Sequence, residues 1–186
     1  MIRPPVRRAV IALGSNLGDR DTLLRDAVRA VDATPGITVV AASAPVSSTA
    51  VTLDGLDPTK PTYLNAVLLA DVTLDDDALL DALQAIEASH GRTRDVRWGD
   101  RTLDLDVVAL DDERIDTERL QVPHPRAAER AFVLDPWLQI DPEARLAGVG
   151  RVADLASRLT ERTRTVPGAT PLLDPVRTRV PSPGAP

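Results

Sequence analysis

The sequence predicts an α+β fold on three observations. Short apolar runs alternate with period two, two longer segments repeat apolar residues at helical spacing, and the order is strand, helix, strand, strand, helix, strand. The first strand is Val10-Ile11-Ala12-Leu13, ended by Gly14. Leu23, Leu24, Ala27, Val28 and Val31 then mark a helix, with Asp19 or Asp21 as N-cap and Pro35-Gly36 as the stop. Residues 37–42, β-branched and apolar, form the second strand. Residues 43–62 carry Pro45, Gly55, Pro58 and Pro61 and read as one long loop, a length that usually signals function. In the third strand, residues 63–72, Leu64, Ala66, Leu68 and Ala70 share one face, while Tyr63, Asn65, Val67 and Leu69 share the other. Residues 75–90 form a helix with Leu79, Leu80, Leu83 and Ile86 on its apolar face, an acidic first turn and Gly91 past its end. Residues 102–110 are the fourth strand, Pro125 opens a short helix near 126–131, and 152–159 read as a surface helix.

This βαββαβ order is the split-βαβ, ferredoxin-like pattern: one antiparallel sheet with helices on one face, C-terminal helices added, and the other sheet face free for a ligand. A chain of 186 residues fits one domain, expected over residues 1–162. Six of the last twenty residues are proline, so 163–186 are expected as an extended or disordered tail.

Composition narrows the function. Without cysteine there are no disulfides, thiol nucleophiles or Cys-ligated metal centres, which fits a cytoplasmic setting. With 28 acidic against 22 basic side chains, the net charge of −6 disfavours nucleic acid and anionic membranes as partners. The apolar run at 9–13 is too short for a signal-peptide core, and no stretch approaches a membrane span. Lys60 is the sole lysine, so phosphate contacts would be made by forked, permanently charged arginines. No heptad or exposed apolar stripe asks for a partner chain, and a monomer is expected.

The sharpest chemical feature is Arg101-Thr102-Leu103-Asp104-Leu105-Asp106. Period two places Asp104 and Asp106 on one strand face, their Cα atoms ~6.5–7 Å apart. Two adjacent carboxylates repel, and a hard divalent cation such as Mg²⁺, shared with triphosphate oxygens, would offset the repulsion. An exposed polar face without metal is the alternative, although aspartate is a poor strand former. Upstream, residues 91–101 pack Arg92, Arg94, Arg97, Arg101 and Trp98 into one loop, which suits a closing phosphate clamp or a solvated basic loop. Gln84 and Glu87 share a helical face and could meet a nucleotide or face solvent. Asn65 among apolar neighbours needs partners; a heterocycle with a lactam edge and a backbone group fit equally. His124 and Arg130 could touch phosphates and Phe132 could stack on a flat ring, or they are a cap and a core aromatic. Gly14-Ser15-Asn16-Leu17-Gly18-Asp19 lacks the Lys-Ser/Thr ending of a phosphate loop and reads as a sharp turn that admits a ligand to the backbone. An RNA-binding module would need more stacking aromatics than Tyr63 supplies, while another Mg-dependent nucleotide enzyme could use the same Asp pair.

Together, Ala12-Leu13-Gly14-Ser15-Asn16-Leu17-Gly18-Asp19, Tyr63-Leu64-Asn65-Ala66-Val67, the 101–106 motif, and Val122-Pro123-His124-Pro125-Arg126 with Arg130 and Phe132 resemble the 6-hydroxymethyl-7,8-dihydropterin pyrophosphokinase family over residues 9–146. The resemblance implies an ATP- and Mg-dependent diphosphotransferase of folate biosynthesis that releases AMP. It implies two Mg²⁺ ions on Asp104 and Asp106. Thr49, Tyr63, Asn65 and Phe132 would surround the pterin, and Gln84, Glu87, Arg94, Trp98, Arg119, His124 and Arg130 would meet ATP. Arg92 and Arg101 would act on the transition state. The 43–62 segment departs from the family pattern, with Thr49-Ala50-Val51 and Lys60-Pro61 in an altered stretch.

Overall fold

The computed structural model describes residues 5–52, 55–57, 62–91 and 102–173. Strand β1 (Arg7–Ser15) turns into helix α1 (Arg20–Ala33), whose N-cap is Asp19: its carboxylate accepts from the Thr22 N–H at 3.3 Å. Strands β2 (Ile37–Ala42), β3 (Val46–Ser48), β4 (Ala50–Thr52), β5 (Gly55–Asp57) and β6 (Tyr63–Val72) follow. Helix α2 (Asp76–Ser89) is capped by Asp75, which accepts from the Ala78 N–H at 2.8 Å. Beyond it come β7 (Asp104–Leu110), the ribbon of β8 (Ile115–Asp116) and β9 (Gln121–Val122), helix α3 (Ala131–Ile140), and a second ribbon of β10 (Arg145–Leu146) and β11 (Gly150–Arg151). Helix α4 (Val152–Arg158) and β12 (Arg164–Thr165) complete the described chain.

The main sheet runs β12-β3-β6-β1-β7, antiparallel at every pairing, and β2 also pairs with β6. Strands β2 and β3 share one edge of β6: β2 pairs from Val72 to Leu68 and β3 from Asn65 to Tyr63. The segment 43–62, expected as loop, therefore contains three short strands. Val46 and Ser48 are buried and alternate with half-buried Ser47, a period-two signal too brief to read between prolines.

One sheet face follows the expected alternation. Ile11, Leu13, Leu64, Ala66, Leu68 and Ala70 pack with Leu24, Val28 and Val31 of α1 and Leu79 and Leu83 of α2. The opposite face is left open only toward Gly14, Asn65 and Asp104, and is covered over the rest. Val10, Val67, Leu69 and Val108 are covered by Val133, Leu134 and Trp137 of α3 and by Val152 and Ala156 of α4, so helices lie on both faces. Those sheet residues are too apolar to face water. The short helix expected at 126–131 is a 3-10 turn, Ala127–Glu129, followed by the longer α3, which contains Pro136. An interior proline costs about 3 kcal/mol, but burying Val133, Leu134 and Trp137 at roughly 2 kcal/mol each outweighs it.

The expected boundary at 162 also shifts. Arg164 and Thr165 pair with Ser47 and Val46, Leu172 is buried in the first core, and its N–H donates to the Ser43 carbonyl at 3.1 Å. Residues 163–173 are thus packed on the domain. Among the described residues no helix is long and apolar enough to cross a membrane.

Candidate active site

The cavity is a consequence of residue size along three adjacent strands. Central β1 places Gly14 between Asn65 of β6 and Asp104 of β7, and Ala12 between Val67 and Asp106. Small residues on the middle strand leave a hollow between longer flanking side chains, and an open cavity of about 420 Å³ lies there. A Cβ on Gly14 would stand 3.2 Å from Asn65 Oδ1, so glycine preserves the position of that amide. Asn65 is buried, and its Nδ2 donates to Ser48 Oγ at 2.8 Å, which orients the side chain from β3.

At the β7 end, Asp106 faces two groups from the segment before α3. Its Oδ2 lies 4.0 Å from His124 Nε2 and 3.9 Å from Arg130 Nη1. The His124 N–H donates to the Val108 carbonyl at 2.9 Å, and the Arg126 N–H donates to His124 Nδ1 at 3.1 Å, so the neutral ring carries its proton on Nε2. Burial, reinforced by Arg130 and Arg126, pushes the imidazole pKa down to about 4, which leaves it neutral near pH 7. The Arg130 guanidinium sits 5.5 Å from the centroid of the Phe132 ring, within cation–π range.

Thr49, Tyr63, Asn65, Asp104, Asp106, His124, Arg130 and Phe132, all marked in the sequence, line this one cavity. Gln84, Glu87 and Arg119 do not. Glu87 is 3% exposed and ties α2 to the start of β7, its Oε1 accepting from the Leu105 N–H at 2.7 Å; a solvent-facing carboxylate is thereby corrected. Gln84 is a half-buried residue of the same helix. Exposed Arg119 donates to Asp77 at 2.7 Å and to Asp81, both on α2. Arg92, Arg94, Trp98 and Arg101 lie outside the described residues. Ser48, Arg126, Glu129 and Glu161 also line the cavity. Arg126 was legible from its place beside His124, whereas Ser48 was hidden in the apparent loop and Glu161 carries no sequence signal.

The donor set suits a hard cation. Asp104 and Asp106 offer carboxylate oxygens on one strand face, the oxygen-donor chemistry that hard divalent cations take.

Known proteins resemble this chain in both sequence and fold. The family model for 7,8-dihydro-6-hydroxymethylpterin-pyrophosphokinase (HPPK) matches residues 10–142. The 2-amino-4-hydroxy-6-hydroxymethyldihydropteridine pyrophosphokinase of Methylorubrum extorquens is 42% identical over 141 residues, which cover 76% of this chain and 87% of the relative. That of Pseudomonas aeruginosa is 39% identical over 166 residues, 88% of this chain and 99% of the relative. In fold, wild-type Plasmodium falciparum HPPK-DHPS superposes with a TM-score of 0.62 at 12% identity, covering 82% of this chain and 44% of that longer one. The family match takes in the β1 turn, the Asn65 strand, the Asp pair and the His124 segment that together build the cavity, and the chain belongs to the HPPK family.

Proposed function

We propose that this cavity transfers pyrophosphate from ATP to the hydroxymethyl group of 6-hydroxymethyl-7,8-dihydropterin in tetrahydrofolate biosynthesis. The observation that carries the reading is that one cavity gathers a carboxylate pair, a neutral histidine and arginines beside a buried amide and two aromatic side chains. The acceptor hydroxyl oxygen forms a bond to the β-phosphorus, the bond from that phosphorus to the bridging oxygen of the α-phosphate breaks, and AMP leaves with the bridging oxygen. The hydroxyl proton passes to solvent or to a phosphate oxygen.

Asp104 and Asp106 would hold two Mg²⁺ ions, whose contribution when bound is to neutralise and orient the ATP phosphates. His124, Arg126 and Arg130 bind phosphate oxygens, the arginines through permanent charge and the histidine through its Nε2 proton. Asn65 reads the heterocycle with its remaining amide groups while Tyr63, Thr49 and Phe132 wall it in, Phe132 stacking on one face. Arg92 and Arg101 are assigned to transition-state charge, and Arg94 and Trp98 to closing over ATP. Gln84, Glu87 and Arg119 are assigned to ATP on the family resemblance, with Glu87 also tying α2 to the start of β7. No general base is required, because positioning and charge neutralisation suffice for phosphoryl transfer. We read the scaffold as a ferredoxin-like sandwich acting as a monomer; the antiparallel order β7-β1-β6-β2 supports the first of these.

Nucleotide products resolved from one reaction test the proposal. ATP and Mg²⁺ with the dihydropterin alcohol should yield AMP, dependent on the acceptor and without free pyrophosphate. ADP would indicate single-phosphate transfer, pyrophosphate would indicate nucleotidyl transfer, and either overturns the reading.

A further inference from the structure

Glu161 lines the cavity, yet it lies beyond the matched family segment, which ends at residue 142. Its place is fixed by the residues that follow. Arg162 donates to the Ala156 carbonyl at 2.9 Å, Thr163 Oγ1 donates to Asp135 Oδ2 at 2.7 Å, and Arg164 and Thr165 pair with β3. Three consecutive anchors on α4, α3 and β3 hold the backbone beside Glu161. Among the described residues the carboxylate itself has no hydrogen-bond or ion-pair partner, so its oxygens remain to be satisfied by water or a ligand.

Sheet order decides which ligand. Strand β12 pairs with β3, whose Ser48 holds Asn65, whereas Asp104 and Asp106 stand on β7 at the opposite edge. Glu161 therefore belongs to the side of the cavity assigned to the heterocycle. A carboxylate among ATP phosphates would repel them, but beside an amino-pyrimidinone it meets a complementary edge. The exocyclic amine and the adjacent ring N–H point the same way and can donate to the two carboxylate oxygens in parallel.

We propose that Glu161 is a specificity-determining residue that accepts hydrogen bonds from the 2-amino edge of the acceptor. The proposal rests on the reading of Asn65, Tyr63, Thr49 and Phe132 as the acceptor end. Its test uses full-length wild type, E161A, E161Q and N65A, each with its thermal midpoint measured. Initial rates are taken against ATP, the dihydropterin alcohol and the analogue lacking the 2-amino group, and acceptor binding is measured with Mg²⁺ and a non-hydrolysable ATP analogue. Both Glu161 variants should raise the acceptor KM about tenfold or more, hold the ATP KM within about twofold, and lose most of the wild-type preference for the 2-amino acceptor. An acceptor KM within twofold of wild type, or an intact preference for the amine, overturns the assignment. If N65A weakens acceptor binding while the Glu161 variants do not, Glu161 alone is misassigned. If neither position affects the acceptor, the placement of the acceptor end falls with it.

Discussion

Asp106 concentrates the electrostatics of the site, with His124 and Arg130 both about 4 Å from one of its oxygens. Asp106→Ala should lower kcat by about 10³-fold or more while the thermal midpoint stays near wild type; near-normal turnover would remove the metal assignment. His124 offers a separate readout in stability. Its folded pKa, pushed down to about 4, lies below the ~6.5 of an unfolded chain. Between those values the unfolded state takes up a proton that the folded state refuses, so stability present above pH 6.5 is lost as pH falls toward 4. Urea unfolding at pH 7 and pH 5 should show wild type losing about 2 kcal/mol more than His124→Gln. At this scale the Asp pair and Asn65 were legible in the sequence because strand alternation is a local property. Glu161 was not legible, since what brings it to the cavity is the path of the chain after α4.

Elements turn local pattern into position, and here tertiary partners decide what spacing leaves open. Helical spacing put Gln84 and Glu87 on one face, but it could not say that Glu87 would meet the Leu105 N–H. That bond fastens α2 to the start of β7, next to Asp104. Glu87→Ala leaves a buried N–H unsatisfied and should destabilise by about 2–3 kcal/mol in chemical denaturation, whereas Glu87→Gln, which keeps a carbonyl acceptor, should lose about 1 kcal/mol. Helix α3 teaches the same lesson: an interior Pro136 is costly, yet the apolar second face of the sheet needs Leu134 and Trp137 above it. The four long strands and the first two helices were readable because each is longer than the signals that interrupt it.

For the whole molecule, the decisive departure from sequence expectation lies at the C-terminus. Prolines between 167 and 186 suggest an appendage, but Leu172 and the β12 pairing make 163–173 part of the fold. Ending the chain at 162 should lower the thermal midpoint by about 5 °C, the equivalent of losing one buried leucine and its neighbouring contacts, roughly 2 kcal/mol. A midpoint unchanged by the truncation would show that these contacts add nothing to stability.

The pairing of β12 with β3 has a second effect, on how copies of the protein meet. A strand at the margin of a sheet offers bare N–H and C=O groups to any extended chain that passes. Arg164 and Thr165 lie along Val46 and Ser47, so a strand of only two residues, too short to template a foreign one, stands over that margin of β3. The truncated form would present this margin to its neighbours, and light scattering should find it associating at concentrations where the intact chain stays dispersed.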